Sequence, residues 1–186
     1  MIKAIVFDCF GVVLTDALQE LRSALAETDA QGARDVTDIV AANNRGLLAP
    51  KEASEQIADI LGISVDEYRA LLHEREVRNV ELLAYILGLR ADYKTAMLSN
   101  IAGSSLQRRF PNDELSTYFD LVVASADIGY VKPEAEAYLH VAEQLQVEPE
   151  ECVFVDDRAV FCDAATSVGM HAILYTNFVR FRRELE

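Results

Sequence analysis

Residues 2–13 read IKAIVFDCFGVV, and how that stretch is read decides the fold. Positions 2–7 form an apolar run rich in branched side chains, broken by Asp8 and then by Gly11. A short run bounded in this way predicts a strand buried on both faces, followed by a loop. Similar runs recur at 95–98, 121–124, 152–155 and 172–175. Helical patterns lie between most of them, and that alternation predicts a parallel sheet with helices on both faces.

Working outward, Leu18, Leu21 and Leu25 make one helical stripe. Ala53, Ile57 and Ile60 make another, closed by Gly62. Ser64 with Glu67 is a capping box that opens a helix through Leu72. Residues 80–87 are a further helix candidate, and Pro133 stands where another should begin, with Ala135, Leu139 and Ala142 as its inner face. From 15 to 87 the patterns are helical, and the strand–helix alternation resumes only at Tyr93. The expected organisation is an α/β protein whose core, residues 1–14 and 88–186, carries an inserted helical cap, residues 15–87.

The 186 residues include 31 acidic and 17 basic side chains, a formal net charge of −14. A broad basic footprint is therefore missing, and nucleic acid is not an expected partner. An apolar share of 51% is enough to build a core. Cys9, Cys152 and Cys162 are an odd, sparse set, a poor disulfide framework that fits a reducing cytoplasm. The opening run is too short to span a bilayer and has neither a charged leader nor a cleavage site, so no membrane partner is expected. His73, His140 and His171 do not cluster and receive no metal role.

Ligands of open parallel sheets bind beyond the carboxyl ends of the strands. Asp8 follows the first run, Ser99 and Asn100 the second, and Asp156 and Asp157 the fourth; the third leads into a loop carrying Lys132 and Pro133. Taken singly, each is an ordinary turn former or helix cap. Together they make a set suited to phosphoryl transfer. A carboxylate can attack phosphorus, and neighbouring carboxylates that repel one another are reconciled by Mg²⁺. A hydroxyl holds non-bridging oxygens, and a lysine offsets transition-state charge.

In that order the motifs resemble the haloacid dehalogenase superfamily. VFDCFGVV (6–13), MLSN (97–100), SADIGYVKPEAEAY (125–138) and CVFVDD (152–157) are similar to its four motifs and span nearly the whole chain. The resemblance implies a Rossmann-like core and a small helical cap inserted after the first motif. It implies Asp8 as nucleophile and metal ligand, and Ser99 as the phosphoryl-binding hydroxyl, assisted by Asn100. Lys132 would balance charge between nucleophile and substrate. Asp157 and the backbone carbonyl of Phe10 would hold Mg²⁺, with Asp156 as a further ligand or a support behind it. The implied activity is Mg²⁺-dependent hydrolysis of a small phosphorylated metabolite through an aspartyl-phosphate.

Two positions depart from that pattern. Relatives carry a second Asp two residues after the nucleophile, where this chain has Phe10. Many carry Asp or Asn four residues after the second acid, where this chain has Phe161, with Asp163 nearby. General acid–base help is worth ~10²–10⁴-fold, so its loss at Phe10 should be felt most with poor leaving groups. Asp16, further along the same loop, is a candidate replacement acid. Two other readings share the motifs. A 2-haloacid dehalogenase-like hydrolase also carries an aromatic residue at the position of Phe10 and needs no proton for its leaving halide, but it has no use for a metal, whereas Asp156 and Asp157 are retained. A catalytically degenerate binding protein of the same fold is favoured by Phe10 and Phe161 and opposed by Asp8, Ser99, Lys132 and Asp157 together.

Overall fold

The computed structural model describes residues 1–185. Five strands, β1 (Ala4–Phe7), β2 (Lys94–Ser99), β3 (Leu121–Ala124), β4 (Cys152–Asp156) and β5 (His171–Leu174), form one sheet in the order β3-β2-β1-β4-β5. Every pairing is parallel. Each strand lies within two residues of an apolar run in the sequence. The helices are α1 (Ala17–Thr28), α2 (Ala30–Asn44), α3 (Pro50–Leu61), α4 (Val65–Arg75), α5 (Val80–Leu89), α6 (Gly103–Arg109), α7 (Glu114–Tyr118), α8 (Ser125–Ile128), α9 (Ala135–Leu145), α10 (Ala159–Ser167) and α11 (Phe178–Leu185).

The middles of the strands are apolar because both of their faces are covered, while polar residues such as Lys94, Ser99, Asp156 and His171 fall at strand ends. Ile5 and Phe7 of β1, Met97 of β2 and Val153 and Val155 of β4 share one cluster with Leu82, Leu83 and Ile86 of α5 and Phe181 of α11. The alternate residues Ala4, Val6, Leu98 and Phe154 join Tyr138 and Val141 of α9 and Phe161 and Ala165 of α10 on the other face. Side chains alternate across a strand, so two helical layers need an apolar residue at every position.

Helices α1 to α4 carry a separate cluster built on Leu21, Val36, Ile57, Tyr68 and Leu72. Their ends follow local chemistry. Asp16 caps α1 by accepting from the Gln19 N–H at 2.9 Å. Gly62 ends α3 with a left-handed φ of 67°, a conformation glycine adopts at little cost. The Ser64–Glu67 capping box is present on α4. The two chain crossings to this helical group run side by side. The Thr15 N–H donates to the Val77 carbonyl at 3.0 Å, and the Thr15 hydroxyl accepts from the Val77 N–H at 2.8 Å. Helix α5, which begins inside the helix-only stretch, packs on the sheet.

Helix α9 differs from the sequence expectation in its face. Leu139 is 44% exposed, while Ala137, Tyr138, Val141 and Leu145 are buried. The helix opens at Ala135, two residues past Pro133, and its rotation is set by Tyr138, which stacks edge-on against Phe154 at 5.1 Å.

Candidate active site

The strand order reverses between β1 and β4, and the crevice beyond their carboxyl ends collects the acidic residues. The Asp8 N–H donates to the Val155 carbonyl at 2.9 Å, which carries the β1–β4 pairing one residue further and holds Asp8 beside Asp156. One oxygen from each of Asp8, Asp156 and Asp157 lies within 4.8 Å of the others. Lys132 reaches the same point from the loop between α8 and α9. Its ammonium is 2.8 Å from Asp8 Oδ1 and 2.6 Å from Asp156 Oδ2. All three partners of this ion triplet are buried.

The side-chain bonds separate the roles of the carboxylates. Both oxygens of Asp156 are engaged, Oδ2 by Lys132 and Oδ1 by the Arg158 N–H at 2.9 Å. Asp8 takes the Cys9 N–H at 2.6 Å and the Lys132 ammonium on the same oxygen, Oδ1. Its Oδ2 is left for chemistry. Gly11 lets the first loop pass close to Asp157: its φ is 83°, and a Cβ there would meet Asp157 Oδ2 at 2.3 Å. The backbone next to Phe10 and the Asp157 carboxylate are therefore neighbours.

Electrostatics at the site are those of crowded acids. Burial pushes Asp8 up to about 7, with Lys132 pulling it down and Asp156 pushing it further up. Asp157 is raised to about 6 by partial burial and by the charges of Asp156 and Asp16. Burial opposes the charge of Lys132, but Asp8 and Asp156 outweigh it and hold its pKa above the ordinary lysine value. Cys9, beside the candidate nucleophile, is driven well up by burial and then by Asp8, so it stays a thiol. Three hard oxygen donors at this spacing fit a divalent cation such as Mg²⁺, whose charge would relieve the like-charge repulsion.

A cavity of about 340 Å³ opens over Asp8 between the sheet and α1 to α4. Ser99 and Asn100 stand on its wall, and the Ser99 hydroxyl is buried with no hydrogen-bond partner among the described residues. A buried hydroxyl left in that state is costly unless a ligand satisfies it. Asn100 uses both ends of its amide on the backbone of Lys132, donating to the carbonyl at 2.9 Å and accepting from the N–H at 2.8 Å. It thereby orients the lysine. Phe10 lines the cavity under the Arg109 guanidinium, 5.3 Å from its ring centroid. Phe161 lies between Lys132, at 5.0 Å, and Arg158, at 4.2 Å. Asp16 lines the same cavity, whereas Asp163 is exposed on α10.

Sequence reasoning missed Arg109 and Glu76. They form a two-pronged pair, at 2.8 and 2.6 Å, on the cavity wall between α6 and the end of α4. It also missed the cavity-lining arginines Arg22, Arg69, Arg108 and Arg158. An RR pair closing a short helix carries no local mark that distinguishes it from a solvated end.

In family and fold, the chain is similar to known proteins. A family model described as haloacid dehalogenase-like hydrolase matches residues 2–169. D-ribitol-5-phosphate phosphatase of Bacteroides thetaiotaomicron is 28% identical over 100% of this chain and 97% of its own length. The sesquiterpene phosphatase astK of Aspergillus oryzae is 26% identical over 98% of this chain and 94% of its own. Among solved structures, a HAD family enzyme of Bacteroides thetaiotaomicron, crystallised with magnesium and inorganic phosphate, superposes with a TM-score of 0.77 at 21% identity. That alignment covers 97% of this chain and 99% of the other.

Proposed function

Since the chain belongs to the haloacid dehalogenase-like hydrolases, we propose that it is a phosphatase that cleaves a small phosphate ester through an aspartyl-phosphate on Asp8. The observation that carries this reading is the convergence of Asp8, Asp156 and Asp157 beside a buried Lys132. A site for displacing halide would gain nothing from two extra carboxylates, because they would repel an anionic substrate. The phosphatase names of the two full-length relatives support the same choice.

In this reading Asp8 Oδ2 attacks phosphorus, and the bond from phosphorus to the ester oxygen breaks. Lys132, fixed by Asn100 and Asp156, pulls Asp8 toward its ionised form against the effect of burial and offsets the charge that develops on the phosphoryl oxygens. The unpartnered Ser99 hydroxyl donates to one of those oxygens. Water then attacks the phosphorus of the acyl-phosphate, which releases inorganic phosphate and restores the carboxylate. Mg²⁺, when bound, would be held by Asp8, Asp157 and the Phe10 carbonyl, and would supply charge neutralisation for the phosphoryl group. Asp156 supports from behind, since both of its oxygens are engaged. Phe10 has no proton to give, so the favoured substrates are those whose leaving oxygen departs unaided: anomeric, aryl and acyl phosphates.

The cap of this reading is α1 to α4; α5 (Val80–Leu89), which begins within residues 15–87 and ends beyond them, serves the core. No helix among the described residues is long and apolar enough to cross a membrane. The three cysteines are free and buried, which suits the reducing cytoplasm assigned here. The test is hydrolysis of an aryl phosphate with Mg²⁺ and with EDTA. Turnover should require the metal and fall by ~10³-fold or more in Asp8→Asn. An Asp8→Asn protein that kept most of its activity would remove the nucleophile assignment. A folded wild type with no phosphatase activity would turn attention to a 2-haloacid assay and then to a binding role.

A further inference from the structure

The cavity wall has a charge balance opposite to that of the chain. The whole protein carries a formal net charge of −14. The cavity is lined by six bases, Lys132 and Arg22, Arg69, Arg108, Arg109 and Arg158, and by only three acids, Asp8, Asp16 and Glu76. Two of those acids are already neutralised, Asp8 by Lys132 and Glu76 by Arg109. Arg69 on α4 and Arg108 on α6 have no carboxylate partner among the described residues; Arg108 donates only to the Ser105 hydroxyl, at 2.7 Å. Both are exposed residues that line the same cavity, so their guanidinium groups are open to a ligand entering it. Partial burial and then the positive charges of Arg109 and Arg69 lower the pKa of Arg108, which places the three guanidinium groups within reach of one another's charge.

We infer that Arg69 and Arg108 form a second anion subsite, so that the substrate is a phosphate ester whose body carries a further carboxylate or phosphate group. The inference rests on the phosphatase reading for its first anchor, the phosphoryl group at Asp8 and Ser99. The same cavity is also lined by apolar side chains, Leu18, Val40, Ile57 and Leu72, which suit a short carbon skeleton linking two anionic ends. Arg69 comes from the helical group and Arg108 from the sheet side, so a bound second anion also ties the two together. Planar guanidinium groups pair with carboxylate or phosphate oxygens in a two-pronged fashion, which makes arginine a suitable reader of such an end.

The test uses direct binding by calorimetry in the presence of Mg²⁺, with ω-carboxyalkylphosphonates of graded length, each against the alkylphosphonate of equal length. For at least one length the carboxylate should tighten binding by ~10-fold or more. In the Arg69→Gln/Arg108→Gln double variant the ratio between the matched compounds should fall to about one. Equal affinities at every length, no binding in either series, or a ratio unchanged in the double variant would overturn the subsite. Aryl phosphate turnover in the same preparation separates the two readings. Turnover without a carboxylate gain removes the subsite and leaves the phosphatase. A carboxylate gain lost in the double variant, without turnover, keeps the subsite and removes the phosphatase.

Discussion

Phe10 shows how one side chain can narrow a substrate range without dismantling a site. Its ring lies on the cavity wall beneath Arg109, next to Asp8, and it cannot exchange a proton. The charge arrangement behind it is intact: Lys132 still bridges Asp8 and Asp156. Positioning and electrostatics usually carry more of the rate than acid–base help does. Replacing Phe10 with Asp should therefore raise kcat/KM toward simple alkyl phosphates by up to ~10²-fold, with a much smaller change for aryl phosphates. Rates measured on an alkyl–aryl pair decide it, and an unchanged ratio would mean that proton delivery comes from elsewhere, with Asp16 the first residue to examine. Phe161 has a different role. It sits where an acid was expected and offers its ring face to the Lys132 ammonium, an interaction worth about 0.5–2 kcal/mol.

Among the elements, β2 delivers Ser99 to the site, and its far end is held by a carboxylate. Asp120, in the turn before β3, accepts from the Thr95 N–H at 2.8 Å and pairs with Arg90 at 2.6 Å. Burial pushes Asp120 up, but the Thr95 N–H and Arg90 outweigh it and hold its carboxyl below the usual value. A depressed folded-state pKa stabilises above the unfolded pKa, and that stabilisation is lost as pH falls through the folded value. The side chain of Asp120 is 39% exposed, so solvent screening keeps the charge contribution under about 1 kcal/mol. Asp120→Asn should lower the urea midpoint slightly at pH 7, and its gap from wild type should close below about pH 4. A gap of the same size at pH 3 would show that the charge is not what matters there. Helix α9 gives the complementary lesson. Its apolar residues are consistent with more than one inner face, and the contact of Tyr138 with Phe154 selects the one that turns Leu139 outward.

Across the whole molecule, the helical group and the sheet core meet over one pocket, with clustered carboxylates at its floor and arginines on its wall. Cross-links hold them together: Arg45 pairs with Glu134 at 2.7 Å, and the Ser125 hydroxyl donates to the Asn44 carbonyl at 2.6 Å. Asp8, Asp156 and Asp157 converge at the junction, and the charge of Asp156 raises the pKa of each of the other two, a repulsion that a bound cation would offset. A ligand that binds only the folded protein stabilises it by mass action; at 100 times its Kd the gain is about 2.7 kcal/mol, or ~5–10 °C in Tm for a chain of this size. Mg²⁺ should therefore raise Tm, EDTA should reverse the rise, and Asp157→Asn should abolish most of it. A Tm indifferent to Mg²⁺ in the wild type would argue against cation binding by this acidic cluster.

What the amino-acid sequence determined alone was local: five strands, the loop residue that follows each, and the caps of several helices. Those features follow from short-range periodicity and from turn and cap chemistry, which act over a few neighbouring residues. Asp8, Ser99, Lys132 and Asp157 each lie beside a strand or a proline, where any one alone reads as a turn former or cap. They were singled out as candidates by falling after successive strands in the order of a resembled family. The tertiary structure decided which groups share a place. It put Arg69 and Arg108 on one cavity wall, turned both ends of Asn100 onto the Lys132 backbone, engaged Asp156 fully while leaving Asp8 Oδ2 open, and packed α5 on the sheet. Those outcomes depend on contacts between residues tens of positions apart, and their energies exist only once the sheet and helices have packed.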